Sequence, residues 1–488
     1  MRKTQKKILF FALVLFFILS SFFFVFYSQG YRFDFKNKRV VQTGGLFLKI
    51  IPSGAEIYLN GKYLKKTNFL FNSLFLNNLI PQKYTIQIKK DGYHSWEKTL
   101  PIEELKVTEA KYIILFPKKI DFQNVEGNVK QIFPSPSNEH FILKQKIKNG
   151  WQLVLLSSSL KKEVLLKEED ISSFFQAQKT KSKKVLSKKA QNIQNIIWAN
   201  DERKILLQLD NEKQTRYFLI NLENKKIQEI NLDDVKIWEI KFNPKNSNKL
   251  YALGTKPNKT GGVSWHMFVI EEPTFLPNEI KLIPDIAPIT FDFINGDIVW
   301  LSKDGFLFRG KLKNHSSLSV SEIFNLRPKE IQENTKYRLK ILRGNVFLFE
   351  GEKLLWLDQI RHLFVSVSEA VKDVKLAPDN KKIAISTGNQ IWLFYLQDDY
   401  QQPRRLALDK LLLTVSETEI KNIAWLNPYY LIIAYENGIK ITEIDNRSHL
   451  NEIIISEFKS PQVFWVQNKK RLFAFSEQKV FFTDDILR

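Results

Sequence analysis

The sequence predicts an all-β protein that follows one membrane-spanning helix. Three observations predict this class: an uninterrupted apolar segment near the amino terminus, a stretch of alternating apolar and polar side chains, and a unit of about 40 to 50 residues that recurs to the end. The chain has 488 residues, enough for two or three domains. It has no cysteine, which excludes disulfides, thiolate metal sites and cysteine nucleophiles.

Residues 8–28 contain no charged side chain and have about the 20-residue length that a helix needs to cross a bilayer. A secretory signal peptide is the alternative interpretation. Phenylalanines at 22, 23, 24 and 26 fill the end of the segment, where a signal peptide has small residues before its cleavage site. We therefore predict an uncleaved signal anchor.

The orientation of this helix is predicted from the basic residues beside it. Four basic residues lie in the tail, residues 1–7, and four lie in the following linker, residues 29–43, where Asp34 offsets one of them. The positive-inside rule then favours a cytoplasmic tail. This predicts a single-pass protein of the cytoplasmic membrane with the bulk of the chain outside the cytoplasm.

Residues 44–114 alternate apolar and polar side chains in short runs, which is typical of half-buried strands. The clearest strands are residues 46–51, 56–61, 84–90 and 94–102. Between them, Pro52 to Ala55 and Asn60-Gly61 are turn signals. These runs predict a small module of short strands.

The turn and strand residues of this segment occur in a specific order. They are Gly45, Pro52-Ser53-Gly54-Ala55, Ile57-Tyr58-Leu59-Asn60-Gly61-Lys62, Thr67, Pro81, Tyr84 and Gly92-Tyr93. In this order and spacing the segment resembles the PEGA domain, a module of bacterial and archaeal surface proteins. It departs from the family at Asn68, Gln82 and Lys83, all at turns. The resemblance implies a small β-sandwich that serves as a non-catalytic surface module.

Two aromatic residues near the end of this segment, Tyr93 and Trp96, are candidates for contact with a ligand or partner. Aromatic rings stack well on sugar rings and on protein partners. The alternative is that both rings cap the small core beside the turn at Gly92.

Residues 115–488 contain eight copies of a pattern of apolar strands separated by Pro, Asn and Asp turns. The clearest copies are residues 131–143, 195–209, 239–253, 374–396 and 422–435, and less regular ones begin near Thr290, Leu339 and Pro461. A period of about 40 to 50 residues is typical of β-propellers, in which four-stranded blades pack around an axis. We predict seven or eight blades.

One copy carries the run Ala377-Pro378-Asp379-Asn380-Lys381-Lys382-Ile383-Ala384-Ile385. In this run the sequence resembles the TolB-type and WD-repeat-like propellers, although the Trp-Asp dipeptide of true WD repeats is absent. The last copy holds only three strands before the chain ends. Because a ring must pair that open edge, we predict that residues 113–122 supply the missing strand.

Residues 172–194 interrupt the repeat as a basic loop without an acidic residue. Its lysines are Lys179, Lys181, Lys183, Lys184, Lys188 and Lys189. They are candidates for contact with an anionic surface, either phospholipid or an acidic wall polymer. A solvated loop between two blades is the alternative.

Motifs for catalysis, cofactor binding and metal binding are missing, and the six histidines are scattered. We therefore expect no catalytic residues, no cofactor and no metal. A net charge of +22 is compatible with binding to nucleic acid. Acidic residues are interspersed with the lysines in the copies of the repeat, however, so we expect no nucleic-acid partner.

The sequence predicts a membrane-anchored, extracytoplasmic binding or scaffolding protein of the cell envelope. Its PEGA-like module and propeller would interact with an envelope protein or a cell-wall glycan. The alternative is an envelope carbohydrate-active enzyme with a pair of carboxylates in the funnel of the propeller.

Overall fold

The computed structural model describes residues 3–67, 72–171, 192–211, 214–230, 235–257, 262–272, 275–283, 287–313, 317–484 and 486–487. The chain begins with one helix, α1 (Lys3–Ser28). Its segment Lys7–Ser28 is 22 residues long, apolar enough to cross a membrane, and not buried against the rest of the protein. The helix therefore fits a single-pass membrane anchor or a signal sequence.

The segment predicted as a linker contains a two-stranded hairpin. Its strands are β1 (Tyr31–Asp34) and β2 (Arg39–Gln42).

The small module that follows is built from two sheets packed face to face. Its strands are β3 (Gly44–Ile51), β4 (Glu56–Leu59), β5 (Lys62–Lys66), β6 (Ser73–Leu79), β7 (Lys83–Lys89), β8 (Trp96–Pro101) and β9 (Val107–Ile114). One sheet has the order β6-β3-β9 and the other β5-β4-β7-β8. Leu46, Ile57 and Ile86 are fully buried between them. The predicted β-sandwich and its four clearest strands are present.

The predicted turn between β4 and β5 shows why the sequence folds this way. Asn60 and Gly61 both have positive φ, 49° and 76°, which a two-residue hairpin turn requires and which these two residue types tolerate. The Asn60 side-chain oxygen also accepts a hydrogen bond from the Thr85 N–H at 2.9 Å. The turn is thereby fastened to β7.

After a short strand, β10 (Gln123–Glu126), the described chain forms eight four-stranded antiparallel units, which we number as blades. Blade 1 consists of β11 (Val129–Pro134), β12 (His140–Ile147), β13 (Gly150–Ser157) and β14 (Lys162–Lys167). Blade 2 consists of β15 (Asn192–Trp198), β16 (Lys204–Asn211), β17 (Gln214–Asn221) and β18 (Ile227–Ile230). Blades 3 and 4 are β19 (Lys236–Asn243), β20 (Asn246–Pro257), β21 (Val263–Glu271), β22 (Pro277–Ile283) and β23 (Pro288–Ile294), β24 (Asp297–Ser302), β25 (Leu307–Lys313), β26 (Ser317–Ile323).

The remaining blades continue in the same order. Blades 5 and 6 are β27 (Tyr337–Leu342), β28 (Asn345–Glu350), β29 (Lys353–Asp358), β30 (Leu363–Ser368) and β31 (Asp373–Leu376), β32 (Lys382–Ser386), β33 (Gln390–Tyr395), β34 (Lys410–Val415). Blade 7 is β35 (Ile420–Asn427), β36 (Tyr430–Tyr435), β37 (Gly438–Glu443), β38 (Glu452–Ser456), and blade 8 contains β39 (Gln462–Val466), β40 (Arg471–Ser476), β41 (Lys479–Thr483). The less regular copies predicted near Thr290, Leu339 and Pro461 are blades 4, 5 and 8.

The blades form a closed ring. Eight apolar clusters lie between successive blades, and the last of them packs Phe141 of blade 1 against Phe473 of blade 8. First strands contact one another between blades 3 and 4, 4 and 5, 6 and 7, and 7 and 8, which places them around the central axis. Blades 3 and 4 are also joined at their outer edges, where β22 pairs in parallel with β26. The structure is thus a β-propeller of eight blades.

The ring closes by strand donation, but not from the predicted residues. β10 pairs with β41 and completes blade 8, with Gln123 opposite Phe482. The predicted donor, residues 113–122, ends one residue before this strand. Ile113 and Ile114 belong instead to β9, because they pair with β3 of the small module. The prediction of donation is confirmed and its location is corrected.

Candidate functional site

Trp96 does not present its ring to solvent. The side chain is 3% exposed and belongs to the core of the small module, and its indole N–H donates a hydrogen bond to Glu443 of blade 7 at 3.0 Å. An external ligand cannot stack on a ring that is covered on both sides. The candidate ligand contact at Trp96 is therefore corrected to a contact within the chain.

Tyr93 is partly buried and packs against the same core. Its ring lies 4.9 Å from the Lys90 ammonium, and its backbone forms a bridge with Pro117 at the exit from the module. These contacts favour the core-capping interpretation. The other candidate residues, Lys179, Lys181, Lys183, Lys184, Lys188 and Lys189, lie outside the described residues.

The small module meets the propeller at a polar contact that we call the junction, formed by β8 and β9 on one side and the loops of blades 6 and 7 on the other. At its centre the Lys98 ammonium is fully buried and lies 2.5 Å from the Glu443 carboxylate. It also donates to the carbonyl oxygens of Asp445 at 2.6 Å, Arg447 at 3.1 Å and His449 at 2.5 Å. A loop of blade 7 thus wraps the ammonium.

The carboxylate of Glu443 is equally well satisfied. Besides the ion pair with Lys98, it accepts the indole N–H of Trp96 and two hydrogen bonds from Asn451, one from the backbone at 2.9 Å and one from the side chain at 2.7 Å. Removing one member of a buried ion pair leaves an unpaired charge, which typically costs about 3 to 5 kcal/mol. The pair therefore specifies the docked geometry, because an arrangement that buries one of these groups without the other is penalised.

Two amide side chains of the propeller close the open edges of the small module. β8 is an edge strand, and Asn451 accepts a hydrogen bond from the Glu97 N–H and donates one to the Glu97 carbonyl, both at 3.1 Å. β9 is the edge of the other sheet. The Gln402 side chain accepts a hydrogen bond from the Glu109 N–H and donates one to the Val107 carbonyl, both at 2.9 Å. Each amide imitates one residue of a neighbouring strand.

Aromatic contacts complete the junction beside β9. Tyr112 stacks on Tyr429 of blade 7, with ring centroids 3.3 Å apart. The hydroxyl oxygen of Tyr430 accepts a hydrogen bond from the Ile114 N–H at 3.1 Å. Burial, followed by the charge of Glu443, raises the pKa of Tyr430 well above its usual value, so this hydroxyl stays neutral. A cleft next to these rings is lined by Lys111, Asp399, Gln401 and Arg447, among others.

Sequence reasoning missed the junction, although one signal was present. In β8 the buried side chains alternate as Trp96, Lys98 and Leu100, so a lysine occupies a core position of a period-2 pattern. A lysine in that register indicates a buried partner of opposite charge. Glu443, Asn451 and Gln402 gave no comparable signal, because polar residues at turns and strand ends are ordinary on any surface.

The second polar region lies on the first strands, around the axis. Glu239 of blade 3 accepts hydrogen bonds from Thr290 at 3.0 Å and from the Phe291 N–H of blade 4 at 3.2 Å. Asp292 of blade 4 accepts the Ile341 N–H of blade 5 at 2.6 Å. Asn422 accepts the Val463 N–H of blade 8 at 2.9 Å in the same way. These side chains link the inner strands of blades 3 and 4, blades 4 and 5, and blades 7 and 8.

The carboxylates of Glu239 and Asp292 share one nearby cation. The Lys241 ammonium lies 2.9 Å from Glu239 and 3.6 Å from Asp292. Burial raises the pKa of Asp292, and Lys241 opposes that rise. Within the described residues, no group of three or more His, Asp or Glu side chains is arranged to hold a metal ion.

Comparison with known proteins identifies the small module. Residues 43–114 match the PEGA domain family. The chain therefore contains a PEGA domain, which is joined through the junction to the propeller. A search of curated proteins found no match for the chain as a whole.

Solved structures resemble the propeller. The β-propeller domain of Myceliophteria thermophila Cps50 (Swd1) is 12% identical, with 75% of this chain and 99% of that one covered and a TM-score of 0.42. Saccharomyces cerevisiae Sqt1 is 10% identical, with 75% and 98% covered and a TM-score of 0.43. A prolyl endopeptidase is 10% identical, with 72% and 55% covered and a TM-score of 0.42. The propeller assignment itself rests on the eight blades described above.

Together, a PEGA domain and a β-propeller support a protein-interaction or scaffold role.

Proposed function

We propose that this protein is a non-catalytic scaffold of the cell envelope, held by α1 in the cytoplasmic membrane with the PEGA domain and propeller outside the cytoplasm. The observation that carries the proposal is the junction. Its buried ion pair and paired strand edges join the two domains into one body, so that the propeller is held at a set orientation to the PEGA domain that follows the anchor. A defined orientation matters for a scaffold that must meet an envelope protein or a wall glycan.

The inner strands support the absence of catalysis. Glu239 and Asp292 accept backbone hydrogen bonds from the next blade and share the ammonium of Lys241. Carboxylates used in this way brace the ring. A general acid or nucleophile has to turn its oxygen toward a substrate, and doing so here would leave buried amides of neighbouring blades unpaired.

Crosslinking in intact cells with a membrane-impermeant, amine-reactive reagent, followed by mass spectrometry, tests compartment and partner together. We expect crosslinks from propeller lysines to envelope components before the cells are opened. Recovery of cytoplasmic partners alone, only after lysis, would contradict the proposal. The Glu443→Gln variant, which weakens the junction, should change the pattern of PEGA-to-propeller crosslinks, whereas Glu417→Gln, an exposed acid between blades 6 and 7, should not.

The carbohydrate-active enzyme is the second candidate, and the raised pKa of Asp292 is the observation that favours it, because a glycosidase acid needs such a shift. The purified chain should be assayed on cell-wall glycan beside Asp292→Asn. We expect no turnover from either. Turnover that disappears in Asp292→Asn would replace the scaffold with the enzyme.

A further inference from the structure

The hairpin of β1 and β2, residues 31–42, follows α1 after only two residues. Opposite residues of an antiparallel pair share one face, and here Phe33 is opposite Val40. Phe33 is 46% exposed, Val40 62% and Phe35 84%. On the other face, Asp34 and Val41 are buried, at 4% and 3%. Phe33 and Val40 therefore form an exposed apolar pair on one face of the hairpin, and the Phe35 ring contacts Phe33 edge to face, with centroids 5.0 Å apart.

The hairpin is fastened to the end of the helix. The Arg32 guanidinium donates to the carbonyl oxygens of Tyr27 at 2.7 Å and Tyr31 at 2.8 Å and lies 3.4 Å above the Tyr27 ring. Phe26 of the helix contacts the ring of Tyr31 edge to face, with centroids 5.3 Å apart. A cation on the last carbonyl groups also stabilises the helix terminus. The position of the helix end thus sets the position of the hairpin.

The basic residues of the hairpin lie at its turn. Lys36 and Lys38 follow Phe35 in the turn, and Arg39, opposite Asp34, begins β2; all three are exposed. The acid Asp34 is occupied by that turn, where its carboxylate accepts hydrogen bonds from Asn37 and from the Lys36 N–H. Exposed aromatic rings next to lysine and arginine are typical of segments that lie in a membrane interface.

We propose that the hairpin lies in the headgroup layer of the bilayer that α1 crosses, with Phe33, Phe35 and Val40 inserted at the acyl boundary and Lys36, Lys38 and Arg39 on anionic phospholipid headgroups. The inference rests on the proposed function, since α1 must span. Tyr31, the first residue of the hairpin, is three residues beyond Ser28 and therefore lies within about 10 Å of the helix end. This distance is comparable with the headgroup layer of one leaflet, about 5 to 7 Å. The helix therefore places the face of Phe33 and Val40 next to the bilayer.

The absence of cysteine allows a direct test. In the full chain, reconstituted in vesicles of phosphatidylcholine and phosphatidylglycerol, a nitroxide label is placed at Phe35→Cys, at Phe17→Cys within the helix, or at Val415→Cys, an exposed apolar residue of blade 6. Electron paramagnetic resonance then measures accessibility to oxygen and to a water-soluble nickel chelate. We expect the oxygen-to-nickel ratio at position 35 to be several-fold above that at 415 and below that at 17.

Equal ratios at positions 35 and 415, with a high ratio at 17, would overturn the hairpin proposal and leave the anchor intact. A low ratio at 17 would overturn the anchor, and the hairpin proposal with it. Replacing Lys36, Lys38 and Arg39 with glutamine should lower the ratio at position 35 in vesicles that contain phosphatidylglycerol. In vesicles of phosphatidylcholine alone the same replacement should have little effect, and a ratio unchanged in both vesicles would contradict the role of the charges.

Discussion

The closure of the propeller ring and the junction with the PEGA domain hold the chain together by different means. At the closure, β10 adds backbone hydrogen bonds to β41, and Phe473 packs on Phe141 across blades 8 and 1. At the junction, the central contact is the buried pair of Lys98 and Glu443. The apolar packing at the closure repeats what every blade boundary does, whereas the donated strand and the junction each occur once among the described residues.

The closure and the junction specify geometry in different ways. Apolar packing is non-directional and tolerates small shifts, so the ring is specified by the number of blades and by strand pairing. Buried charges and amides need partners at set distances and angles. We therefore expect the closure to contribute more to stability and the junction to contribute more to domain orientation.

The largest effect is expected at the closure. Phe473→Ala removes a fully buried ring between blades 8 and 1, and truncations of this kind cost about 3 to 5 kcal/mol. Denaturant unfolding of the full chain in mild detergent measures the loss. Phe35→Ala, an exposed ring outside the propeller, is the control, and a similar small loss for both variants would mean that the ring does not depend on this packing.

At the junction, Glu443→Gln keeps the shape of the side chain but leaves the Lys98 ammonium without a counter-charge. Because three carbonyl oxygens still surround it, we expect a loss near the lower end of the range for a broken buried pair, about 3 kcal/mol. The unfolding curve should also broaden or separate into two transitions, since the PEGA domain would be held to the propeller by the amide and aromatic contacts alone. A single unchanged transition would contradict the account, and Glu417→Gln should behave as wild type.

The two amide contacts are expected to have smaller effects. Asn451→Ala and Gln402→Ala each remove a pair of hydrogen bonds to a strand edge, worth about 1 to 2 kcal/mol. Asn451→Ala also removes the hydrogen bond to Glu443 and should be the more destabilising of the two. Hydrogen exchange at the backbone amides of Glu97 and Glu109 should accelerate in the respective variant. Gln359→Ala, which loses one exposed hydrogen bond on blade 5, should change stability by less than about 0.5 kcal/mol.

The smallest effect is expected at the stacked rings. Tyr112→Leu loses the stack on Tyr429, worth about 1 kcal/mol, whereas Tyr112→Phe keeps the ring and should cost less. Unfolding of the two variants side by side measures the difference. Equal losses would show that the hydroxyl, which donates to Gln401 at 3.3 Å, contributes more than the stack.

Most of the fold follows from local sequence patterns. Alternation predicted β3, β4, β7 and β8, and the eight copies correspond to eight blades, because each strand carries its own apolar register. The donated strand was misplaced because apolar residues such as Ile113 and Ile114 fit either a PEGA strand or a blade strand. Only long-range pairing with β3 decides between them.

The junction could not be predicted in this way. Trp96 was a candidate for ligand contact because a tryptophan in a small module looks exposed when its partner, Glu443, lies 347 residues away. Ion pairs and amide contacts between distant segments leave no periodic trace in either segment. Only Lys98, at a buried register position of β8, carried a sign of a partner.

A distance measurement between the two domains tests whether the PEGA domain and the propeller form one body. Nitroxide labels at Tyr63→Cys in the PEGA domain and Val415→Cys in blade 6, both exposed positions of a chain without cysteine, report the separation by double electron–electron resonance. We expect one narrow distance distribution in the chain that carries only the two labels. A broader distribution is expected when Glu443→Gln is added to it. A broad or two-peaked distribution without Glu443→Gln would contradict the claim that the PEGA domain and the propeller form one body.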